Sequence, residues 1–239
     1  MRLLKIEWLK LKKYRTFYIL SGLFMAIFVS INLVMRTAPF SVNMSKENKV
    51  SLLSDNYSFS EVWHNLGYYY GWAIIFICVL VIINICNEFS FKTQRRQIID
   101  GYNRLDFLHG KVMLILAINV VLALFFVLVG LIFGYTHGGG NPTNHAIKIL
   151  HAFTLSLNYI SFSALVALFV RKSGLSIMLL LAFVFVESII SSVVAMKFDK
   201  AIMAYLPLES SDALFTTPLN PMAKQVTDKL PQNSSTTLL

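Results

Sequence analysis

Long uncharged stretches of apolar residues alternate with short polar segments along this chain, and the first four of five such stretches contain no Asp, Glu, Lys or Arg. A helix needs about 20 apolar residues to cross the hydrocarbon core of a bilayer, and a lipid-exposed helix satisfies its own backbone hydrogen bonds. The pattern therefore predicts transmembrane helices at residues 16–35, 67–87, 112–134, 149–170 and 175–196.

The first 15 residues form a segment with two faces. Leu4, Trp8, Leu11 and Tyr14 recur at helical spacing, and lysines stand between them. This pattern is typical of an amphipathic helix that lies in the membrane interface ahead of the first span. The alternative is a plain basic flank without a helix of its own.

Segment 88–111, between the second and third predicted spans, has a pattern of its own. Gly101 suits the end of a short helix, and Asn103 suits the start of the next one. We expect a helix near 92–99, a turn, and a helix that runs from Arg104 into the third span. A helical hairpin of this kind would project below the membrane and suits docking to a cytoplasmic partner. The alternative is a solvated basic loop that only fixes the topology.

The composition supports a membrane protein. Of 239 residues, 56% are hydrophobic and 14% are charged, well below the charged fraction of about 25% in soluble domains. Cys78 and Cys86 lie inside one apolar stretch, where a disulfide framework is implausible. The sequence thus predicts an all-α, polytopic transmembrane helical bundle that forms one domain over residues 1–239.

The positions of the basic residues predict the orientation. Of the 21 Lys and Arg residues, 13 fall in residues 1–15, 88–111 and 171–172, which share one side of the membrane. Basic residues favour the cytoplasmic side, so we expect a multi-pass protein of the cytoplasmic (inner) membrane with its N-terminus in the cytoplasm. Topology then explains the net charge of +9, and no nucleic-acid partner is needed.

The polar residues around the second and third spans resemble a known family. Glu88, Thr93, Arg104 and Lys111 stand in the order found after the second span of ABC-2 type transporter permeases. The string NEFSFKTQRRQIIDGYNRLDFLHGK is similar to the version in permease subunits of the Bacteroidetes type. The N-terminal string EWLKLKKYRTFYIL resembles the amphipathic helix that precedes the first span in that family.

This resemblance implies a role in export. Two permease subunits, identical or related, and two cytoplasmic ABC ATPase subunits form such a transporter, and the segment after the second span docks to the ATPase. We assign the ATPase contact to Glu88, Thr93, Arg95, Arg96, Arg104 and Lys111. We assign the seating of the N-terminal interfacial helix to Glu7, Trp8 and Lys10.

The sequence has no Walker A phosphate-binding loop. We therefore expect no cofactor on this chain, no enzymatic activity of its own, and ATP and Mg²⁺ on the ATPase partner. Two other classes stay open. One is an intramembrane enzyme, which would need paired catalytic groups within the spans, and the other is a membrane anchor or assembly subunit that does not transport.

The end of the chain and one acidic residue complete the prediction. Members of the family it resembles usually have six spans, with short outward re-entrant helices between the fifth and the sixth. We expect 197–239 to be an extracytoplasmic tail in which residues 201–208 and 213–215 contribute to such a region. We favour a sequence that stops short of the sixth span over an atypical member with five spans. Glu187 stands within the fifth span, where an ionisable side chain is costly. We expect it to face the bundle interior or a pathway, with Asn158 and Ser161 as candidate partners, in either a functional or a structural role.

Overall fold

The computed structural model describes most of the chain. The described residues are 2–37, 41–43, 49–51, 62–93, 104–136, 141, 143, 146–197 and 205–215. Helices dominate this part of the chain, and the one pair of strands within it is short. In chain order the elements are α1 (Arg2–Lys13), α2 (Arg15–Thr37), β1 (Ser41–Asn43), β2 (Lys49–Ser51), α3 (Val62–Ala73), α4 (Ile75–Ser90), α5 (Arg104–Thr136), α6 (Ile147–Val170), α7 (Ser173–Lys197) and α8 (Glu209–Asp212).

Five helical segments of the described chain are long and apolar enough to cross a membrane. They are Arg15–Met35, Val62–Ser90, Leu108–Thr136, Ile147–Val170 and Ser173–Val194. The predicted all-α transmembrane bundle is confirmed, and so is the number of its spans. The protein is therefore membrane-embedded.

The second span differs from its prediction in length and in regularity. It begins at Val62 rather than at residue 67, and it consists of α3 and α4 separated by a turn at Ile74. The apolar residues among those added, Val62, Trp63 and Leu66, are buried, and Trp63 packs over Gly130 of α5. A Cβ at Gly130 would overlap the Trp63 ring, so this small residue permits the close approach of α3 and α5.

Aromatic rings hold the centre of the bundle together. Phe24 and Phe28 of α2 meet Tyr70 of α3 at ring-centroid distances of 6.0 and 5.7 Å. Phe126 of α5 lies 5.3 Å from Tyr70 and 6.3 Å from Phe28. All four rings are fully buried, and edge-to-face pairs of this kind stabilise a core beyond their buried area.

The antiparallel course of the spans gives the bundle two ends. The α1 end holds α1, the end of α4, the beginning of α5 and the turn between α6 and α7. A separate α1 confirms the predicted N-terminal helix, because the chain turns at Tyr14, whose amide donates to Leu11 O at 3.1 Å. At the opposite end β1 and β2 pair antiparallel with Val42 opposite Val50, a feature that the sequence pattern did not predict.

The segment 205–215 belongs to the predicted extracytoplasmic tail, and the structure adds that it is not a detached tail. It packs against α6 and α7 instead of lying outside the bundle. Its contacts include Asn158 of α6 and Glu187 of α7. Each of these residues lies about 15 Å from the nearer end of its helix, at 1.5 Å per residue. The segment therefore re-enters the bundle to roughly half its depth, and we call it the re-entrant segment.

Candidate functional site

Four charged side chains from three separate stretches of sequence meet at the α1 end. Glu7 and Lys10 lie one turn apart on α1, Glu88 lies in the last turn of α4, and Lys111 lies near the beginning of α5. Because positions i and i+3 share a helix face, α1 presents both of its charges to the other two helices. We call these four residues the ion cluster.

Each lysine of the ion cluster contacts both carboxylates. Lys111 Nζ lies 2.5 Å from Glu7 Oε2 and 2.8 Å from Glu88 Oε1. Lys10 Nζ lies 2.8 Å from Glu7 Oε1 and 3.0 Å from Glu88 Oε1. The two positive and two negative charges therefore alternate and compensate one another.

The ion cluster is largely shielded from solvent. Glu7, Glu88 and Lys111 are only 5%, 5% and 3% exposed. Burial alone would raise the pKa of Glu7, but the charge of Lys111 and hydrogen bonds from both lysines hold that pKa below its ordinary value. Burial alone would lower the pKa of Lys10, but Glu7 and Glu88 hold it above its ordinary value. Both groups are thus kept charged at neutral pH.

A buried ion pair contributes little net stability, yet removing one partner leaves a buried charge without compensation. What the ion cluster supplies is a fixed geometry, because three helices must stand in register for all four contacts to form. The α6–α7 turn joins the same end, where the Arg171 guanidinium lies 5.4 Å from the centre of the Phe89 ring of α4. Side-chain contacts at the α1 end therefore connect α1, α4, α5 and the α6–α7 turn.

The chain leaves α4 by a specific backbone turn. Lys92 adopts a left-handed conformation with φ of 54°, which is uncommon for a residue other than glycine. Thr93 Oγ1 donates to the carbonyl of Glu88 at 3.2 Å, so it closes the turn. The first residues after α4 are therefore oriented by the same residue that carries the ion cluster's second carboxylate.

The structure brings together some of the predicted site residues and separates others. Glu7, Lys10, Glu88 and Lys111 form the ion cluster, and Thr93 lies beside it. Trp8 is exposed on α1 and contacts Phe17 rather than the ion cluster. Three predicted features lie outside the described part of the chain: Arg95 and Arg96, the short helix near 92–99 beyond Thr93, and the side chain of Arg104. The helix from Arg104 into the third span is confirmed.

Glu187 is buried, as predicted, but its partners are different. Its Oε1 accepts the backbone N–H groups of Leu208 at 2.8 Å and Glu209 at 3.0 Å. The proposed partner Ser161 is exposed, and Asn158 instead donates to Pro207 O at 2.6 Å and to Ser211 Oγ at 3.1 Å. Glu187 and Asn158 therefore hold the re-entrant segment, a contact that the sequence analysis did not predict.

Asp212 is a site residue that the sequence analysis missed. Its Oδ2 accepts the hydroxyl of Tyr159 at 2.6 Å. Burial raises the pKa of Asp212 to about 6, the Tyr159 hydrogen bond opposes this, and the charges of Glu209 and Glu187 add to it. The signal in the sequence was the helical spacing of Leu208, Ser211 and Phe215 around it, two apolar residues and one small residue that are the buried positions of the segment.

The far end of the re-entrant segment is fixed by Phe215. A Cβ at Gly67 of α3 would overlap the Phe215 ring, so only a glycine admits the ring there. Lys148 of α6 lies 5.5 Å from the centre of that ring and donates to Leu214 O at 2.9 Å. Among the described residues no group of three His, Cys, Asp or Glu side chains is arranged to hold a metal ion.

Comparison with known proteins places the chain in a family without assigning an activity. No curated protein and no solved structure matches it. One family model, described as a protein of unknown function (DUF2705), matches residues 53–218. This match contains Glu88, Lys111, Glu187 and the re-entrant segment, whereas α1 precedes it. Because the match covers more than half of the sequence, the chain belongs to the DUF2705 family.

Proposed function

We propose that this chain is the membrane-spanning permease subunit of an ABC exporter and works with a separate cytoplasmic ATPase. The observation that carries the proposal is the ion cluster. Two distant segments that resemble the coupling elements of ABC-2 permeases, around Glu7 and around Glu88, contact one another there. Coupling to an ATPase requires such a contact, because a force on one cytoplasmic segment must be transmitted to several spans at once.

The mechanical argument follows from the contacts. The ATPase docks on the chain that connects α4 and α5, and its movement on nucleotide binding pushes this connection. The push reaches α4 through Glu88, α5 through Lys111 and α1 through Glu7 and Lys10. Because the four charges are shielded and mutually compensated, they move as one body. The spans then tilt together rather than one at a time.

The proposal includes orientation and partners. The N-terminus and the α1 end face the cytoplasm, in the cytoplasmic membrane, where the ATPase binds ATP and Mg²⁺. A second permease subunit completes the pathway, since five spans of one chain leave little room to enclose one. A mass measurement in nanodiscs should therefore find two permease subunits with two ATPase subunits, and a single permease chain would contradict this arrangement.

Co-purification of the chain with a cytoplasmic ABC ATPase from the same cells tests the central claim. The variant Arg95→Ala/Arg96→Ala removes two charges from the proposed docking surface and should abolish ATPase binding while membrane insertion persists. The control Arg171→Ala/Lys172→Ala removes the same charge from the α6–α7 turn, at the same end of the bundle. It should retain the ATPase. If no ATPase accompanies the unaltered chain, or both variants bind it equally, the proposal is wrong.

A further inference from the structure

Three carboxylates come together around the re-entrant segment. Glu187 projects from α7, and Glu209 and Asp212 lie one turn apart on α8. The side chain of Glu187 is only 4% exposed. Fully ionised, the three groups would place three negative charges near the middle of the membrane, and a buried carboxylate without a counter-charge is strongly disfavoured.

One buried oxygen of these carboxylates has no hydrogen-bond donor among the described residues. Glu187 Oε1 takes two backbone N–H groups, but Oε2 is buried and has no partner among the described residues. Asp212 Oδ2 takes the hydroxyl of Tyr159, and the charged groups that act on Asp212 are the acidic Glu209 and Glu187. The carboxylate that binds the segment through Oε1 therefore keeps one buried acceptor, Oε2, without a donor among the described residues.

Among the described residues, the basic groups around the segment lie at Phe215, three residues after Asp212. Lys148 and His151 of α6 and His64 of α3 surround Phe215, with the two histidine rings 6.3 and 6.1 Å from it. Lys148 donates to the Leu214 carbonyl. Further ionisable neighbours in the described part of the chain are Tyr159 of α6, which donates its hydroxyl to Asp212, and Cys78 of α4, which is buried near Tyr159.

We propose that Asp212 and Glu187 form a proton-binding site at half the depth of the bundle, and that the bound proton keeps the re-entrant segment docked. The proton comes from water and adds to a carboxylate oxygen of Asp212, which becomes a neutral carboxylic acid. The pair then carries one negative charge instead of two and has one more hydrogen-bond donor. No other reactant is needed, and the site is independent of the ATPase and of any transported substrate.

The direction of the pH dependence follows from linkage. The docked segment raises the pKa of Asp212 from its ordinary value of 3.8 to about 6. The docked state therefore binds the proton more tightly than the released state does. Docking is strongest below the ordinary pKa and weakens as the pH rises through about 6. The docking equilibrium should change on the order of 100-fold across this window.

Thiol accessibility in nanodiscs of the full chain tests the proposal. Ser211 is buried and small, so Ser211→Cys reports release of the segment, and Tyr205→Cys, at a position that is 88% exposed, reports the reactivity of an open thiol. The labelling rate at Ser211→Cys, divided by that at Tyr205→Cys, should be low at about pH 5 and rise on the order of 10-fold by about pH 8, because pH 5 already lies above the ordinary pKa of Asp212. The membrane-impermeant reagent is a charged methanethiosulfonate.

Two variants assign the pH dependence to the carboxylates. Asp212→Asn is permanently neutral, so it should give a low ratio that does not change with pH. Glu187→Gln removes one of the charges acting on Asp212, so the rise should move to lower pH. If Ser211→Cys itself releases the segment, the buried Leu208→Cys replaces it as the reporter. A flat ratio in the unaltered background, or the same rise in Asp212→Asn, would overturn the proposal.

Discussion

At the scale of single residues, the ion cluster shows how charged side chains exist at the edge of an apolar bundle. Lys111 is buried but contacts carboxylates of two other helices, at 2.5 and 2.8 Å. Lys10 is only partly shielded and contacts the same two carboxylates. The deeper lysine therefore contributes more to the geometry of the site, because water can replace it less well.

Removing Lys111 should destabilise the protein strongly. Lys111→Met leaves Glu7 and Glu88 with Lys10 as their shared counter-charge, and breaking a buried ion network of this kind costs about 3–5 kcal/mol. An unfolding titration with SDS in mixed micelles measures the change in the free energy of unfolding. The control Lys12→Met removes an exposed lysine from α1 and should change it by less than about 0.5 kcal/mol. Equal effects of the two variants would show that the ion cluster is not structurally important.

The stabilisation from the ion cluster should span a broad pH range. The lowered pKa of Glu7 means that its contribution is present above the ordinary value of 4.5 and is lost as the pH falls through the lowered pKa. The raised pKa of Lys10 means that its contribution is present below the ordinary value of 10.5 and is lost as the pH rises through the raised pKa. Melting temperatures in detergent should therefore form a plateau between these limits. In Glu7→Gln the melting temperature should fall less steeply as the pH is lowered below the plateau.

At the scale of elements, the re-entrant segment explains why several polar groups occur inside spans. Irregular backbone at membrane depth is tolerated where protein covers it. Here Asn158 and Glu187 supply hydrogen bonds to the backbone of the segment, and Leu208 and Phe215 fill the space between helices. The polar residues of α6 and α7 are thus accounted for by a neighbour outside both helices.

A methyl group at Gly67 should interfere with docking of this segment. In Gly67→Ala the added Cβ would overlap the Phe215 ring, so the ring must move. Overpacking of this kind destabilises by about 1–3 kcal/mol. At Gly22 of α2, nothing lies within 4 Å of the corresponding Cβ. Gly22→Ala should therefore stabilise by about 0.5–1 kcal/mol through helix propensity, and SDS unfolding titrations of both variants should show opposite signs.

At the scale of the whole molecule, the two ends of the bundle are chemically different. The α1 end holds the ion cluster and the Arg171 contact, whereas the opposite end holds the β1–β2 pair and the entrance of the re-entrant segment. The excess of basic residues lies at the α1 end. A preference of basic residues for the cytoplasm therefore predicts which end faces inward.

Single cysteines should report this orientation in intact cells. A membrane-impermeant thiol reagent should label Ser45→Cys and leave Ser90→Cys protected until the cells are opened. Residue 45 belongs to the connection between α2 and α3, and Ser90 ends α4. The native Cys78 and Cys86 are buried and should give little background. The reverse labelling pattern would place the N-terminus outside.

The sequence by itself determined the spans, the separate N-terminal helix and the class of fold, because a run of about 20 apolar residues has few alternatives to a membrane helix. It also indicated Glu7, Lys10, Glu88 and Lys111, but not that they meet. Their contact depends on how α1, α4 and α5 pack, which side-chain order along one helix does not encode. The tertiary structure alone decided which helices the segment around Asp212 contacts and which of its residues are buried. A short polar stretch with scattered apolar residues resembles an external loop. Only the packing of the helices shows that Gly67 contacts Phe215 and that Glu187 binds the backbone of Leu208, so that these two apolar residues are buried.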